Sequence, residues 1–354
     1  RHRVIRVEFD GLDKAGHVAR RFVARMDVRD GDVLVSQAFP QIGAVRAAFP
    51  GAMRLRYVEV LHGDVDQYYD LARSVRGFCD AFVVPSSRIE ARLREIVGPG
   101  AEVLRCPPIV APARAERVPG EGPLRLCFVG RLSAEKNVPD ILRALDRLRG
   151  AGVAFSMVIA GGGAEEPRVR ATVDALGLRE VDVLGPVPRD EVDRIYSNAD
   201  VLLLASDYEG FPVVLAEAMV HRVVPVCTRV SGCEDAVEDG VNGFLFGVGD
   251  VAELCDRLIA LDRDRPALQA MSDRAVADAR AFAPDTLALR FRDFVEDLAP
   301  SVLGDRAAGS PRRLLDRVWV PNVLARGLRR AWRTLRGRPA DAGPPAPRCR
   351  SVEA

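Results

Sequence analysis

Four ionisable side chains in two short stretches carry the chemistry that this sequence suggests. In SDYEGFPVVLAEAM (206–219), Glu209 follows an apolar run at the mouth of a loop, and Glu217 comes eight residues later inside the next helix. In GRLSAEKN (130–137), Arg131 and Lys136 stand just past a strand-like run that ends at Val129. Lys136 is informative because Lys14 is the only other lysine among 51 basic residues. A compact ammonium beside a planar guanidinium suits a diphosphate, whose oxygens are spread over two centres. Pro212 fits the first turn of a helix, where its missing N–H costs nothing. Glu-Gly-Phe then forms the loop feeding that helix, and free amides with the helix dipole favour an anion such as phosphate. Glu209 can accept hydrogen bonds from sugar hydroxyls, and Glu217 can reach a ribose diol, as an acid does in dinucleotide folds. A blander account exists for each part: surface cations at a solvated helix start, and glutamates in a helix because glutamate is common there. The spacing of the two acids is weak alone; joined to Arg131 and Lys136 it becomes strong.

The elements that must position these groups are an alternation of strand and helix over 124–298. LRLCFVG (124–130), AFSMVIAG (154–161), VDVLG (181–185), DVLLLAS (200–206) and VVPVCT (223–228) are short apolar runs, each followed by a helical stretch. That pattern indicates a parallel sheet covered on both faces. GFLF (243–246) adds an edge or sixth strand, and helices near 250–262, 266–281 and 285–298 close the domain. The first hundred residues repeat the logic less tidily. RVIRVEFDGLDKAG reads as helix and HVARRFVA (17–24) as strand; DVLVSQ, MRLRYVEVLH, AFVVPS and AEVLRC follow as strands. PPIVAPARAERVPGEGP (107–123), with five prolines, reads as a linker. The expected architecture is α/β: two Rossmann-like doubly wound domains facing across a cleft, at 1–106 and 124–284, with a closing helix at 285–300. Because the chain opens on a helix, the N-terminal domain is expected to lack its first strand.

Composition excludes several classes. The 354 residues are 48% hydrophobic and 29% charged, with a formal net charge of +1. Residues 311–338 hold nine Arg and one Asp, a net of +8, so the remainder carries 1 − 8 = −7. A mildly acidic body argues against nucleic-acid binding. In the tail, Leu324, Leu328, Trp332 and Leu335 recur at helical spacing among arginines. That is the pattern of a helix lying on an anionic membrane surface, or of one docked on the acidic body. Residues 339–354 read as disordered. No apolar run is long enough to span a bilayer. The seven cysteines form no C-x-x-C pair, and Cys127 and Cys227 lie in strand-like runs as small buried hydrophobes. A reducing compartment and no metal site follow.

VGRLSAEKN, IAGGG, the run from LGPVPRDEV through LAEAM, and EDGVNGFL resemble, in order, the nucleotide-sugar-binding domain of group-1 (family 4) retaining glycosyltransferases. The resemblance implies the GT-B fold and transfer of a sugar from a nucleotide-diphosphate donor to an acceptor hydroxyl. It implies attack on the donor's front face, with a leaving phosphate oxygen receiving the acceptor's proton, and no metal or other cofactor. By it, Arg131 and Lys136 meet the diphosphate, and Gly130 is among the donor-binding residues. Glu209 meets the donor sugar with the amide groups of Gly210, Phe211 and Pro212; Val213 continues that loop, Glu217 holds the ribose and Val187 flanks the base. LDKAGHVARRFV and YVEVLHGD are looser matches, and the second sets His62 facing the sugar. His2, His17 and His221 receive a structural assignment. Asp64-Val65-Asp66 has a metal-binding pattern too short and frequent to count. Three departures stand out: the family's Gly-rich loop is not found, CPPIV (106–110) replaces the usual Asn-Gly-Val-Asp, and Arg222 occupies a position usually held by Gly. The expected acceptor is a sugar or lipid-linked envelope glycan, reached from the cytoplasm, with the basic tail at the inner membrane face. A GT-B nucleotide-sugar 2-epimerase and a non-catalytic nucleotide-sugar-binding subunit are the alternatives.

Overall fold

The computed structural model describes residues 53–113 and 122–299 continuously, with 28–37, 301–302 and residues 20, 23, 24, 26, 45 and 49. The basic tail, His2, His17, Lys14 and residues 114–121 of the linker lie outside the described residues. The strands are β1 (Val33–Gln37), β2 (Arg54–Val60), β3 (Ala81–Val84), β4 (Glu102–Arg105), β5 (Leu124–Val129), β6 (Phe155–Ala160), β7 (Val181–Gly185), β8 (Val201–Leu204), β9 (Val224–Thr228), β10 (Phe244–Phe246) and β11 (Ser301–Val302). The helices of the first part are α1 (Asp66–Val75) and α2 (Ser87–Val97). Those that follow are α3 (Val138–Gly150), α4 (Glu166–Leu176), α5 (Arg189–Asn198), α6 (Val213–Val220), α7 (Cys233–Ala236), α8 (Val251–Arg263), α9 (Arg265–Asp278) and α10 (Pro284–Asp297).

Two compact units are present: Arg1–Val60 with Asp70–Ala81 and Leu298–Ala354, and Leu61–Tyr69 with Phe82–Asp297. In the first, β1 and β2 pair in parallel and β11 pairs antiparallel with β2. Arg56 reinforces this pairing by donating from Nε to the Leu298 carbonyl at 2.7 Å. At the described residues of HVARRFVA, the structure departs from the expected strand. Arg20 and Val23 are helical, and the Ala24 N–H bonds to the Arg20 carbonyl. The physical reason is visible in the sequence: Val18 and Phe22 stand four apart, a helical spacing rather than an alternation.

The second unit contains the expected six-stranded parallel sheet, in the order β10-β9-β8-β5-β6-β7. Its strands bury continuous apolar runs, and β8 is buried along its whole length. Asp200, 1% exposed, fixes β8 against β5. Its carboxylate accepts both the Nε (3.0 Å) and Nη2 (2.8 Å) of Arg125, and the Arg125 backbone N–H at 3.0 Å. Cys127 and Cys227 are fully buried in this core, and burial holds the Cys127 thiol well above its usual pKa. Residues 61–69 and 82–106, assigned from the sequence to an N-terminal domain, belong to this unit. Buried Ser86 and Ser231 share a 2.7 Å hydrogen bond, and the Asp235 carboxylate accepts the Ser87 N–H at 3.0 Å.

Candidate functional site

At the carboxyl ends of β5 and β8, two loops come together. After β5, a 3-10 turn (Ala134–Lys136) brings Lys136 back beneath the strand ends, and Asn137 adopts a left-handed backbone, φ 46°, to start α3. The Asn137 side chain donates to Asp207, and the Asp207 N–H bonds to the Glu135 carbonyl at 2.9 Å, which ties the two loops. Lys136 Nζ then lies 2.5 Å from Glu209 Oε1. Ser206 Oγ donates to the same oxygen at 2.7 Å, and Thr228 Oγ1 holds the Ser206 carbonyl. The ammonium and carboxylate are 17% and 10% exposed, so the pair is mostly withdrawn from water. In such surroundings, removing one partner is costly because the other charge is left uncompensated.

This pair forms one wall of a cavity of about 180 Å³, lined by Gly130, Arg131 and Lys136 and by Glu209 with Phe211–Val213. Arg131 is 80% exposed and has only a loose contact, 3.6 Å to Glu135, so its guanidinium is available to a ligand. Glu135 itself is held ionised by the Ser133 hydroxyl, which pulls its pKa down. The loop after β8 enters α6 through Pro212, at φ −72° and ψ 110°. Pro212 is thus the residue before the first helical one, a step earlier than expected. It has no N–H, so the loop's amide donors are those of Gly210, Phe211 and Val213; the first N–H groups of a helix have no intrahelical partner.

Gly210 is where a glycine is required by close approach. A Cβ there would sit 1.8 Å from the His62 carbonyl oxygen. His62 therefore joins the site through its backbone, while its ring packs edge-on to Tyr68 at 6.4 Å between centroids. Partial desolvation of the imidazole lowers its pKa and keeps it neutral at physiological pH. Gly161 meets the same kind of constraint: a Cβ would lie 1.7 Å from the Gly130 carbonyl. IAGGG thus acts by letting the end of β6 approach the loop that carries Arg131.

Glu217 sits one turn into α6 and is 7% exposed. Its Oε1 accepts from Arg189 Nη1 and its Oε2 from the Tyr196 hydroxyl at 3.3 Å. Burial, with the Glu217 charge second, raises the Tyr196 pKa well above its usual value, so the hydroxyl stays a donor. The bond to Glu217 likewise holds Arg189 protonated.

Residues 112–278 match the family model described as glycosyl transferases group 1. This stretch is a group-1 glycosyltransferase domain. It is similar to the D-inositol 3-phosphate glycosyltransferase of Nocardia farcinica, 36% identical over 53% of this chain and 44% of that one. It is also similar to the amylovoran biosynthesis glycosyltransferase AmsK of Erwinia amylovora, 32% identical over 40% of this chain and 36% of that one. The chain thus spans less than half the length of either relative. Among solved structures, Anabaena Alr3699/HepE in complex with UDP aligns at a TM-score of 0.68 and 17% identity, covering 80% of this chain and 82% of that one. At that identity the likeness concerns the fold, which is GT-B, with parallel sheets in two Rossmann-like units.

In the glycosyltransferase domain, seven sequence-assigned residues line the one cavity: Gly130, Arg131, Lys136, Glu209, Phe211, Pro212 and Val213. Gly210 and His62 join behind it, and Val187 packs against the core beside the start of α5. Glu217 stands apart in its own polar cluster. Ser206, Arg189 and Tyr196 are not among the sequence-assigned residues. Ser206 had a signal, three residues before Glu209 in the quoted stretch; Arg189 had none, since its contact is made across 28 residues. His221, assigned a structural place from the sequence, is 3% exposed, its ring 5.4 Å from that of Tyr196 and its Nδ1 2.9 Å from the Glu217 carbonyl. Asp64 and Asp66 face Arg92, at 3.4 and 2.7 Å, and Asp64 also accepts the Tyr69 hydroxyl.

Proposed function

We propose that this protein transfers a glycosyl group from a nucleotide-diphosphate sugar to an acceptor hydroxyl with retention of anomeric configuration, in the synthesis of an envelope polysaccharide or glycolipid. The observation that carries this is the cavity lined by Lys136, Arg131 and the backbone of Phe211 and Val213 at the start of α6. Those groups are cationic or N–H donors, and negative charge builds on the leaving diphosphate as the glycosidic bond breaks. Preorganised donors aimed at that charge lower the barrier. Glu209 meets the sugar hydroxyls; Lys136, now its partner, turns to the phosphate when the donor enters. The acceptor oxygen bonds to the anomeric carbon as the carbon–phosphate-oxygen bond breaks, and the acceptor's proton passes to the leaving phosphate oxygen. Glu217, oriented by Arg189 and Tyr196, holds the ribose, with Val187 flanking the base. His62, kept neutral, faces the sugar as a hydrogen-bond partner. No metal enters this scheme.

The membrane-facing role of 311–338, with nine arginines and apolar residues one helical turn apart, belongs to the same proposal. A panel of UDP-, GDP- and ADP-sugars with a polyprenyl-linked saccharide acceptor tests it. Nucleoside diphosphate released in step with glycosylated acceptor, the new linkage keeping the donor's anomeric configuration, is the expected result. Release without any acceptor would favour an epimerase, and binding without release a non-catalytic subunit.

A further inference from the structure

A second cavity, of about 590 Å³, shares Phe211 with the first. Small-molecule sites span about 300–1,000 Å³, so this cavity is large enough for a ligand of its own. Four carboxylates (Glu234, Asp235, Glu238, Asp278) and three guanidiniums (Arg105, Arg274, Arg290) line it. Most are already engaged. Asp235 accepts the Ser87 N–H and lies 3.4 Å from Arg105, Glu234 pairs with Arg88, and Arg274 donates to Asp278 at 2.9 Å. Among the described residues, the Glu238 carboxylate has no partner, and Arg290 donates only to the Arg105 carbonyl at a long 3.3 Å.

The wall behind Glu238 is built rather than incidental. Asn242, 2% exposed, donates to the Ala236 carbonyl (3.1 Å) and to Asp278 (2.9 Å), and accepts the Glu238 N–H at 2.9 Å. This pins the backbone of 236–238 to α9, and it accounts for the Asn of EDGVNGFL, which the donor cavity does not use. A phosphate or other dianion would meet four carboxylates, and a polycation three guanidiniums. A hydroxyl both donates and accepts, so it satisfies an acid and an arginine together. Pro85, Pro107 and Phe282 add apolar surface for the C–H faces of a sugar ring.

We propose that this second cavity binds a neutral, polyhydroxylated ligand, an oligosaccharide segment, with Glu238 and Arg290 as its open polar contacts. The site is separate from the donor cavity and stands whether or not the proposed transfer is correct. Saturation-transfer NMR on the full chain, with maltotriose, lactose and mannotriose as probes and excess UDP, GDP and ADP present, tests it. At least one probe gives a signal with wild type, and its affinity falls about ten-fold in Glu238→Gln/Arg290→Ala, as expected for the loss of one or two hydrogen bonds to charged groups. An unchanged melting temperature in that variant shows that its fold is kept. Absence of signal from all three probes, or equal affinity in wild type and variant, overturns the proposal. Extension of the bound probe on adding nucleotide sugar marks it as an acceptor; binding without extension marks it as an effector. Both results retain the site.

Discussion

Glu209 and Glu217 are eight residues apart and equally shielded, their side chains each 10% exposed, yet they are held in opposite ways. Glu209 sits at a cavity, and its cation, Lys136, comes from the loop after a different strand on a flexible four-carbon stem. Glu217 sits inside a helix, bridged by the hydroxyl of the buried Tyr196 and by an arginine from the start of α5. On the proposed function, the first pair opens to admit charge from a ligand, and the second stays assembled to position it. A displaceable pair belongs where charge develops, and a fixed one where a ligand must be positioned.

Substitutions can break that comparison. If Lys136 is the proposed donor to the leaving group, Lys136→Ala lowers kcat about 100- to 1,000-fold; an equal loss in donor affinity alone would place Lys136 in positioning instead. Glu217→Gln, read by the same steady-state assay, raises the donor KM about ten-fold while kcat holds within about three-fold, the signature of uniform binding. Arg189→Ala is the finer probe. Its side chain is 57% exposed, so the pair with Glu217 is screened and the donor KM rises only about three-fold or less. A larger effect than that of Glu217→Gln would mean that Arg189, not Glu217, is the main contact.

The smallest effect concerns the end of α6, the helix that carries Glu217. Arg222 adopts φ 65° where the helix stops, a left-handed position that favours glycine. Its ion pair with Asp273 and the bond from Ser272 Oγ to its carbonyl hold it there. In chemical denaturation, Arg222→Gly is expected to be about 1 kcal/mol more stable than Arg222→Ala, which loses the pair but keeps the strain.

How much of this the sequence discloses depends on whether a contact is local. The strands of the six-stranded sheet are legible because each is a short apolar run with a helix after it. Glu209 and Lys136 are legible as separate groups, each at a strand end. Their direct pairing, and the bridge from Arg189 to Glu217, depend on which strands are neighbours, which no local pattern encodes. HVARRFVA misled because β-branched and aromatic residues suggest a strand, while their four-residue spacing suits the helical turn found at Arg20 and Val23. Arg222 shows the reverse: its oddity was visible in the sequence, and the left-handed backbone supplies the reason.

On the proposed function, Lys136 turns from Glu209 to a diphosphate when the donor binds. Thermal unfolding of wild type and Lys136→Ala, each with UDP, GDP or ADP at about 100 times the wild-type Kd, tests it most directly. Such a ligand adds about 2.7 kcal/mol of stability to a protein that binds it. Wild type is expected to show a raised melting temperature with at least one of the three, and Lys136→Ala little or no shift. Equal shifts in both proteins would contradict it.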